Sequence, residues 1–210
     1  MAWSSSASSC SRCSSWTVRV SIRPRVRPAR DGRPAAGRRQ RLPRAVRLEI
    51  ITALAEAMPD VDFHVIGGTE HDLSRWRVRR TSSNLLLHGH VPPGRLAAWM
   101  ETFDIAVAPY QHRVSVSGGG DAARWMSPLK IVEYMAYGKA IVASDLPPIR
   151  EVLDHGRTGL LCAPDDPRDW CSAIRRLIAE PDFARRLARD ARRESDQRHT
   201  WTGRARRVLA

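Results

Sequence analysis

From Leu48 onward the chain alternates between two spacings of hydrophobic residues. Segments in which apolar residues recur every three or four positions predict helices, and short, almost wholly apolar segments predict buried strands. Proline and glycine separate these segments. The predicted helices span 47–58, 69–78, 92–101, a segment that begins at 128, 147–153, 167–179 and 181–196. The predicted strands span 61–68, 84–89, 104–109, 139–144 and 159–162.

Apolar strands that are separated by helices are typical of a parallel sheet with helices on both faces. The predicted fold of residues 48–210 is therefore α/β, a Rossmann-like doubly wound parallel sheet. A chain of 210 residues, of which 42% are hydrophobic, suffices for one such domain with its own core. Ligands of these sheets bind beyond the carboxyl ends of the strands, so the loops that follow the strands are where we expect a site.

Most of the formal net charge of +13 is concentrated at the start of the chain. Residues 1–48 carry twelve arginines and one acid, Asp31, whereas residues 49–210 carry 23 basic and 21 acidic side chains. Such an acid-poor segment, rich in serine, arginine and proline, buries too little apolar surface to fold. Residues 1–47 are predicted to be a disordered tail.

The tail leaves several functions open. A solvated tail is the preferred interpretation, with an organelle transit peptide and contact with an anionic lipid surface as alternatives. Nucleic acid is the least expected partner, since the predicted domain is nearly neutral. No stretch approaches the roughly 18 uninterrupted apolar residues of a membrane span. The sequence therefore favours a cytoplasmic protein.

The segment that begins at Ser127 combines features of an anion site. Ser127 is a good helix N-cap and Pro128 a good first helical residue, so the unpaired amides of the first turn face the preceding loop, with Lys130 beside them. This arrangement suits a diphosphate, and Glu133 offers two acceptors for vicinal hydroxyls such as those of a ribose. Lys130 and Glu133 are also spaced to pair with each other on a solvated face. The residue pattern alone leaves both interpretations open.

The loop between the strand ending at 109 and the helix at 128 is longer than an ordinary strand-to-helix connection. It contains three consecutive glycines, Gly118, Gly119 and Gly120. Long loops of this kind are frequently functional, and glycine lets the backbone approach a ligand closely. The loop is therefore part of the predicted site.

Seven short sequence segments, in the order in which they occur along the chain, resemble those of group 1 glycosyltransferases of the GT-B fold. They include SPLKIVEYMAYGKAIVASD from residue 127 and PPIREVLDHGRTGLLCAPDDPRDWCSAIRRLI from residue 147. Upstream, ALAEAMPDVDFHVIGG, LHGHVPP and FDIAVAPY also resemble the family. The resemblance covers roughly residues 48–208. It implies the C-terminal half of such an enzyme, which binds a nucleoside-diphosphate sugar as donor and needs no further cofactor.

The resemblance also implies roles for particular residues. Glu133 would hold the ribose hydroxyls, and His90 and Val91 would lie near the base. The residues implied to contact the diphosphate or the sugar are Ser127, Leu129, Lys130, Gly118, Gly119 and Gly120. No metal is predicted, because the loops that would face the donor lack an Asp-x-Asp motif, and the Cys-x-x-Cys of the tail has no second pair.

Three departures from the family pattern bear on activity. Trp125 stands where the family often has an acid. Residues 31–47 contain no core strand where the family has its first strand, and residues 17–22 are expected to reach only a sheet edge. The acceptor-binding half is not recognisable within these 210 residues, so the chain is expected either to act with a partner chain that supplies this half or to be a representative of such an enzyme truncated at its N-terminus. Arg44 or Arg47 is the candidate for the phosphate-binding cation that the family's first loop provides.

Two functions are therefore compatible with the sequence. The first is a glycosyltransferase domain that transfers a sugar from a nucleoside-diphosphate donor when an acceptor half is present. The second is a non-catalytic or degenerate nucleotide-binding module.

Overall fold

The computed structural model of the chain describes residues 17–21, 48–68, 73, 74, 76, 82–112 and 128–198. Its strands are β1 (Thr17–Ser21), β2 (Asp62–Ile66), β3 (Leu85–Gly89), β4 (Ile105–Ala108), β5 (Ala140–Ser144) and β6 (Leu160–Cys162). Its helices are α1 (Leu48–Ala57), α2 (Pro93–Glu101), α3 (Leu129–Ala136), α4 (Pro147–Arg150), α5 (Pro167–Ala179) and α6 (Pro181–Arg198). The predicted elements are confirmed to within about three residues at each end. The helix predicted over 69–78 lies largely outside the described residues.

The six strands form one sheet in the order β3-β2-β1-β4-β5-β6. The pairs β2 with β3, β4 with β5 and β5 with β6 are parallel, whereas β1 is antiparallel to both of its neighbours. Because β2 and β4 both run opposite to β1, they run parallel to each other. The predicted parallel sheet is therefore confirmed for five strands, whose carboxyl ends all lie along one edge.

Strand β1 lies in the interior of the sheet, so the expectation that residues 17–22 reach only an edge was wrong. Val18 is aligned with Val65 of β2 on one side and with Val107 of β4 on the other. Without a strand between β2 and β4, two rows of backbone N–H and C=O groups would lack partners inside the domain, and burying them unpaired is costly. The valines and threonine of this segment also favour a strand. The remainder of the predicted tail lies outside the described residues.

Residues of each strand point alternately to two faces of the sheet, and helices cover both faces. Ile105 and Val107 of β4 belong to a core that includes residues of α1 and α5. Ala106 and Ala108 of the same strand belong to a second core that includes residues of α3 and α4. Helix α6 contributes to both cores, through Leu187 to the first and Ala191 to the second. The doubly wound arrangement predicted from the sequence is confirmed.

Helix α3 ends in a left-handed glycine turn. Gly138 has a φ of +61°, its N–H donates to Met135 O at 2.8 Å, and the N–H of Lys139 donates to Tyr134 O at 3.1 Å. These two bonds form a Schellman motif, which satisfies carbonyls that the end of a helix leaves unpaired. Gly138 therefore ends this helix in a conformation that glycine adopts more readily than other residues.

Asn84, directly before β3, joins three parts of the chain. Its Nδ2 atom donates to the carbonyl oxygens of Ala55 at 3.0 Å, Met58 at 2.9 Å and Val61 at 2.8 Å. An amide group carries two hydrogens, so three acceptors share them. The buried side chain thereby links the end of α1 and the start of β2 to the start of β3.

Candidate functional site

Helix α3 begins at the edge of the sheet where the parallel strands end. Only Tyr137, Gly138 and Lys139 separate α3 from β5, so the helix finishes beside the amino end of that strand. Its first turn therefore lies at the opposite, carboxyl edge. The candidate site comprises this first turn and the residues that directly follow β3, β4, β5 and β6.

The first turn of α3 presents backbone amides that have no acceptor. Pro128 is the N-cap, one residue later than predicted, and its carbonyl accepts from the N–H groups of Ile131 at 2.9 Å and Val132 at 3.2 Å. Among the described residues, the N–H groups of Leu129 and Lys130 have no partner, and the Leu129 residue is 48% exposed. The partial positive charge of the helix terminus is thus open to solvent, as an anion site requires.

Lys130 and Glu133 are paired with each other across one turn of α3. Lys130 Nζ donates to Glu133 Oε2 at 2.6 Å. The lysine side chain is only 17% exposed, whereas that of Glu133 is 46% exposed. The second carboxylate oxygen of Glu133 has no described donor, so it remains available to a hydroxyl group. The pairing expected from the spacing is therefore present, beside an accessible acceptor.

The ends of β4 and β5 are joined by a buried hydrogen bond behind the first turns of α3. Ser144 Oγ donates to the carbonyl oxygen of Tyr110 at 2.7 Å. Burial raises the pKa of the Tyr110 hydroxyl, and Tyr134 and the carboxylate of Glu133 raise it further. Because the Glu133 carboxylate affects the pKa of Tyr110, which follows β4, its charge lies near the carboxyl edge of the sheet.

The end of β3 turns sharply at Gly89. Gly89 has a φ of +72°, and a Cβ atom there would lie 2.9 Å from Leu73 Cδ1. Its carbonyl accepts from the N–H of Gly67 at 2.6 Å, which fixes the end of β3 to the end of β2. The turn leads directly to exposed His90 and half-buried Val91. These two residues therefore lie at the same sheet edge as the first turn of α3.

One ion pair and one histidine–aspartate contact follow the ends of β4, β5 and β6, and neither was predicted. Arg150 Nε and Nη2 donate to the two carboxylate oxygens of Asp145 at 2.5 and 2.7 Å, and these bonds lower the pKa of Asp145. His112 Nε2 lies 3.5 Å from Asp165 Oδ2, with both side chains more than half exposed. The candidate site thus has charged groups on its β5 and β6 side.

His64 and His88 form a contact that the spacing of apolar residues along the chain does not predict. His64 Nδ1 and His88 Nε2 are 2.9 Å apart, on adjacent strands, and their rings are nearly parallel. Trp99 and Phe103 contact the pair edge-on. Burial lowers the pKa of both histidines to about 4, and His64 also lowers that of His88. Both rings are therefore neutral at pH 7.

The predicted site residues that the structure describes lie in two places along the carboxyl edge. Leu129, Lys130 and Glu133 lie on the first turns of α3, and His90 and Val91 follow β3. Three strand spacings, about 14 Å, separate β3 from β4, so a ligand that contacts both places must be elongated. The predicted residues that lie outside the described part of the chain are Ser127, Gly118, Gly119 and Gly120.

Neither a metal-binding cluster nor a membrane-spanning helix is found in the described part of the chain. Across its described ranges, no three His, Cys, Asp or Glu side chains are grouped so that they could hold a metal ion. Within the same ranges, no helix has the length and hydrophobicity needed to cross a bilayer.

Comparison with known proteins places most of this chain in one family. The family model described as "Glycosyl transferases group 1" matches residues 42–180. A phosphatidyl-myo-inositol mannosyltransferase of Mycolicibacterium smegmatis is 30% identical over 185 residues. That match covers 83% of this chain and 45% of the relative, so the chain spans less than half of that relative's length.

Solved structures share the fold at lower identity. HepE of Anabaena, in complex with UDP-glucose, aligns with a TM-score of 0.60 at 19% identity, over 77% of this chain and 43% of HepE. The C-terminal domain of a group 1 glycosyl transferase from Francisella tularensis aligns with a TM-score of 0.56 at 16% identity. This second alignment covers 73% of this chain and 80% of that domain.

Proposed function

The chain belongs to the group 1 glycosyltransferases, and we propose that residues 48–210 bind a nucleoside-diphosphate sugar and present it for transfer of the sugar to an acceptor. The chain spans 45% of the mannosyltransferase relative, so the proposal includes an acceptor-binding half supplied by another polypeptide segment. UDP is the first nucleotide to test, since HepE shares the fold and its structure contains UDP-glucose.

The first turn of α3 is the observation that carries this proposal. The amides of Leu129 and Lys130, which have no acceptor among the described residues, combine with a lysine ammonium at the carboxyl edge of the sheet. A diphosphate supplies several oxygens to such donors and gains from the helix dipole. Glu133 lies one turn further along, where its free carboxylate oxygen would accept from ribose hydroxyls.

The remaining predicted contacts complete the proposed donor site. Ser127 and the three glycines Gly118, Gly119 and Gly120 are proposed to approach the diphosphate or the sugar. His90 and Val91 are proposed to lie beside the base, because they share the sheet edge with α3 but stand about three strand spacings away. An extended nucleotide fits that separation better than a compact anion would.

In the proposed reaction this half stabilises the leaving group. When the bond between the anomeric carbon and the diphosphate oxygen breaks, its electron pair moves to that oxygen, and negative charge grows on the diphosphate. In the proposed complex the helix terminus faces this charge and Lys130 exchanges its bond to Glu133 for one to the diphosphate, so both would stabilise the transition state more than the ground state. The acceptor hydroxyl loses its proton as it attacks the anomeric carbon, and its activation is assigned to the other half.

Nucleotide-dependent thermal stability tests the proposal. A nucleotide at 100 times its Kd should add about 2.7 kcal/mol to the free energy of unfolding. This corresponds to a rise in Tm of roughly 5 to 10 °C for a chain of this size. We expect the rise with UDP or GDP, and we expect Glu133→Ala to remove most of it.

The control is Glu180→Ala, which breaks a similar exposed pair with Arg176 at the far end of α5. It should leave the nucleotide-dependent rise intact. Absence of a rise with every nucleoside diphosphate, or an equal loss in both variants, would overturn the proposal.

A nucleotide-binding module without transfer is the second candidate, because the chain spans less than half of its mannosyltransferase relative. Both candidates predict the thermal shift. Release of UDP from UDP-glucose by the chain, with water as acceptor, separates them. Release above the rate of a Glu133→Ala variant would favour transfer, whereas a transferase domain tested without its acceptor-binding half is expected to resemble the module.

A further inference from the structure

A groove of about 380 Å³ lies between the end of α3 and the exposed side of α6. Tyr137 and Gly138 line it from the α3 side, and a row of arginines lines it from α6. The small residues Gly138 and Ala188 leave the space open between them. This groove is distinct from the candidate donor site, because α3 begins at the carboxyl edge of the sheet and ends near the opposite edge, about 12 Å away along its axis.

Arg185, Arg189 and Arg192 share one face of α6. Their spacing of four and three residues brings the three side chains to the same side of the helix. The only acid in the lining is Asp182, and Arg185 Nη2 already binds its Oδ1 atom at 2.5 Å. Three arginines against one aspartate leave the lining with a net charge of +2.

Arg189 and Arg192 differ from the other arginines of α6 in having no partner among the described residues. Arg193 lies 3.9 Å from Asp190, and Arg198 binds Glu194 at 3.0 Å. Arg186 lies over the ring of Phe183. The two guanidinium groups without partners are therefore both in the groove, next to Tyr137, which is 38% exposed.

We propose that this groove binds a phosphate ester group. Guanidinium groups present paired N–H donors whose geometry matches phosphate oxygens, and the Tyr137 hydroxyl can donate a further hydrogen bond. Neutral or cationic ligands would leave the net positive lining uncompensated. The proposal rests on the groove's own residues and is independent of the proposed donor site.

The phosphate ester has two sources, a soluble metabolite or the headgroup of an anionic lipid. The experiment therefore measures binding of the full chain to glycerol 3-phosphate and, separately, to vesicles of phosphatidylglycerol and phosphatidylcholine. Both arms use 150 mM salt, where long-range attraction to the basic N-terminal segment is largely screened. That segment is the same in every variant, so its contribution cancels in a ratio of dissociation constants.

Two double variants remove the same charge from α6. Arg189→Ala with Arg192→Ala removes the unpartnered groove arginines, and Arg186→Ala with Arg193→Ala removes two arginines from another face. We expect the groove variant to bind about tenfold more weakly than the control variant in at least one arm. We also expect it to keep the UDP-dependent rise in Tm, which separates this groove from the donor site.

The decision rests on the ratio of dissociation constants between the two double variants. A ratio of three or more in either arm supports the proposal, and the arm in which it appears identifies the source of the phosphate. A ratio below three in both arms, or no binding by the unmodified chain in either arm, overturns it. If the alanine variant does not fold, Arg189→Lys with Arg192→Lys keeps the charge but removes the paired donors, and the same threshold applies.

Discussion

Lys130 Nζ lies 2.6 Å from Oε2 of Glu133, so two side chains that are proposed to hold different parts of the donor are bonded to each other. The pair spans one turn of α3, and the glutamate end of the pair is about half exposed. Exposed pairs of this kind contribute roughly 0 to 1 kcal/mol to stability. A diphosphate at the first turn would therefore compete for Lys130 at little cost to the fold.

Glu133→Gln should weaken UDP binding while changing the free energy of unfolding only slightly. It removes the charge of the carboxylate and weakens the pair with Lys130, so we expect a loss of less than about 1 kcal/mol in the free energy of unfolding. UDP affinity should fall about tenfold, since the amide replaces an acceptor with a donor where hydroxyls bind. Denaturant titration and calorimetric UDP titration measure the two quantities. Unchanged affinity would mean that the pair has only a surface role.

The buried histidine pair should make the domain sensitive to acid. The pKa of His64 is lowered to about 4 in the fold and returns toward 6.5 on unfolding, so the unfolded chain binds more protons between these values. Stability is unaffected above pH 6.5 and falls as the pH drops toward 4, by about 3 kcal/mol for His64. Unfolding in urea at pH 7.0, 6.0 and 5.0 measures the slope.

His64→Asn is the matched variant for this measurement. It removes one titrating ring while keeping a polar group beside His88, so the loss of stability between pH 7 and 5 should become smaller. Ser83→Ala, at an exposed position, removes no titrating group and should leave the slope unchanged. Equal slopes in all three proteins would contradict the assignment.

Asn84→Ala should destabilise the domain strongly. Its Nδ2 atom serves three buried carbonyl oxygens, which would lose a shared donor at once. Leaving such groups unsatisfied costs about 1 to 3 kcal/mol. We expect the urea midpoint to fall correspondingly, with Ser83→Ala at the exposed neighbouring position as the control. A change below 0.5 kcal/mol would show that other donors replace the amide.

Gly138→Ala should destabilise the end of α3. The left-handed φ of +61° costs an L-residue with a Cβ about 1 kcal/mol, although the nearest contact of that Cβ, Arg192 Cδ at 3.6 Å, is ordinary. Gly94→Ala offers the comparison, because that glycine lies inside α2 with open space around its Cβ position. Alanine should stabilise position 94 and destabilise position 138 in thermal unfolding. The same sign at both positions would argue against the backbone explanation.

Val18→Pro tests the central position of β1. Proline removes a backbone N–H from a strand that is paired on both sides, so the variant should lose on the order of 2 kcal/mol of stability. Val18→Ala keeps the backbone N–H at the same position and should lose less stability. Equal stability of the two variants in urea would show that β1 contributes little to the folded domain.

The sequence predicted the helices and strands well because their signals are local. Apolar spacing identified β4 and β5 without any information about their neighbours in the sheet. The chemistry of the first turn of α3 was also local, since Leu129, Lys130 and Glu133 lie within five positions. Only the exact start of this helix shifted, by one residue.

Contacts between distant segments leave no comparable local signal in the chain, and the expectations for them were incomplete. His64 and His88 meet because β2 and β3 are adjacent and in a particular register, 24 positions apart in the chain. Asn84 similarly reaches carbonyls 23 to 29 positions away. The spacing of hydrophobic residues along the chain does not show which of these distant residues come together.

The sequence by itself determined the type of each element, the parallel arrangement of most strands and the local donor and acceptor groups of α3. Propensity, capping and apolar spacing act within a few residues, so these features can be read directly from the chain. Only the tertiary structure decided that β1 fills the centre of the sheet and that α3 and α6 enclose a groove. Both depend on which distant backbone groups and helix faces meet, and that choice is made by the packing of the whole domain.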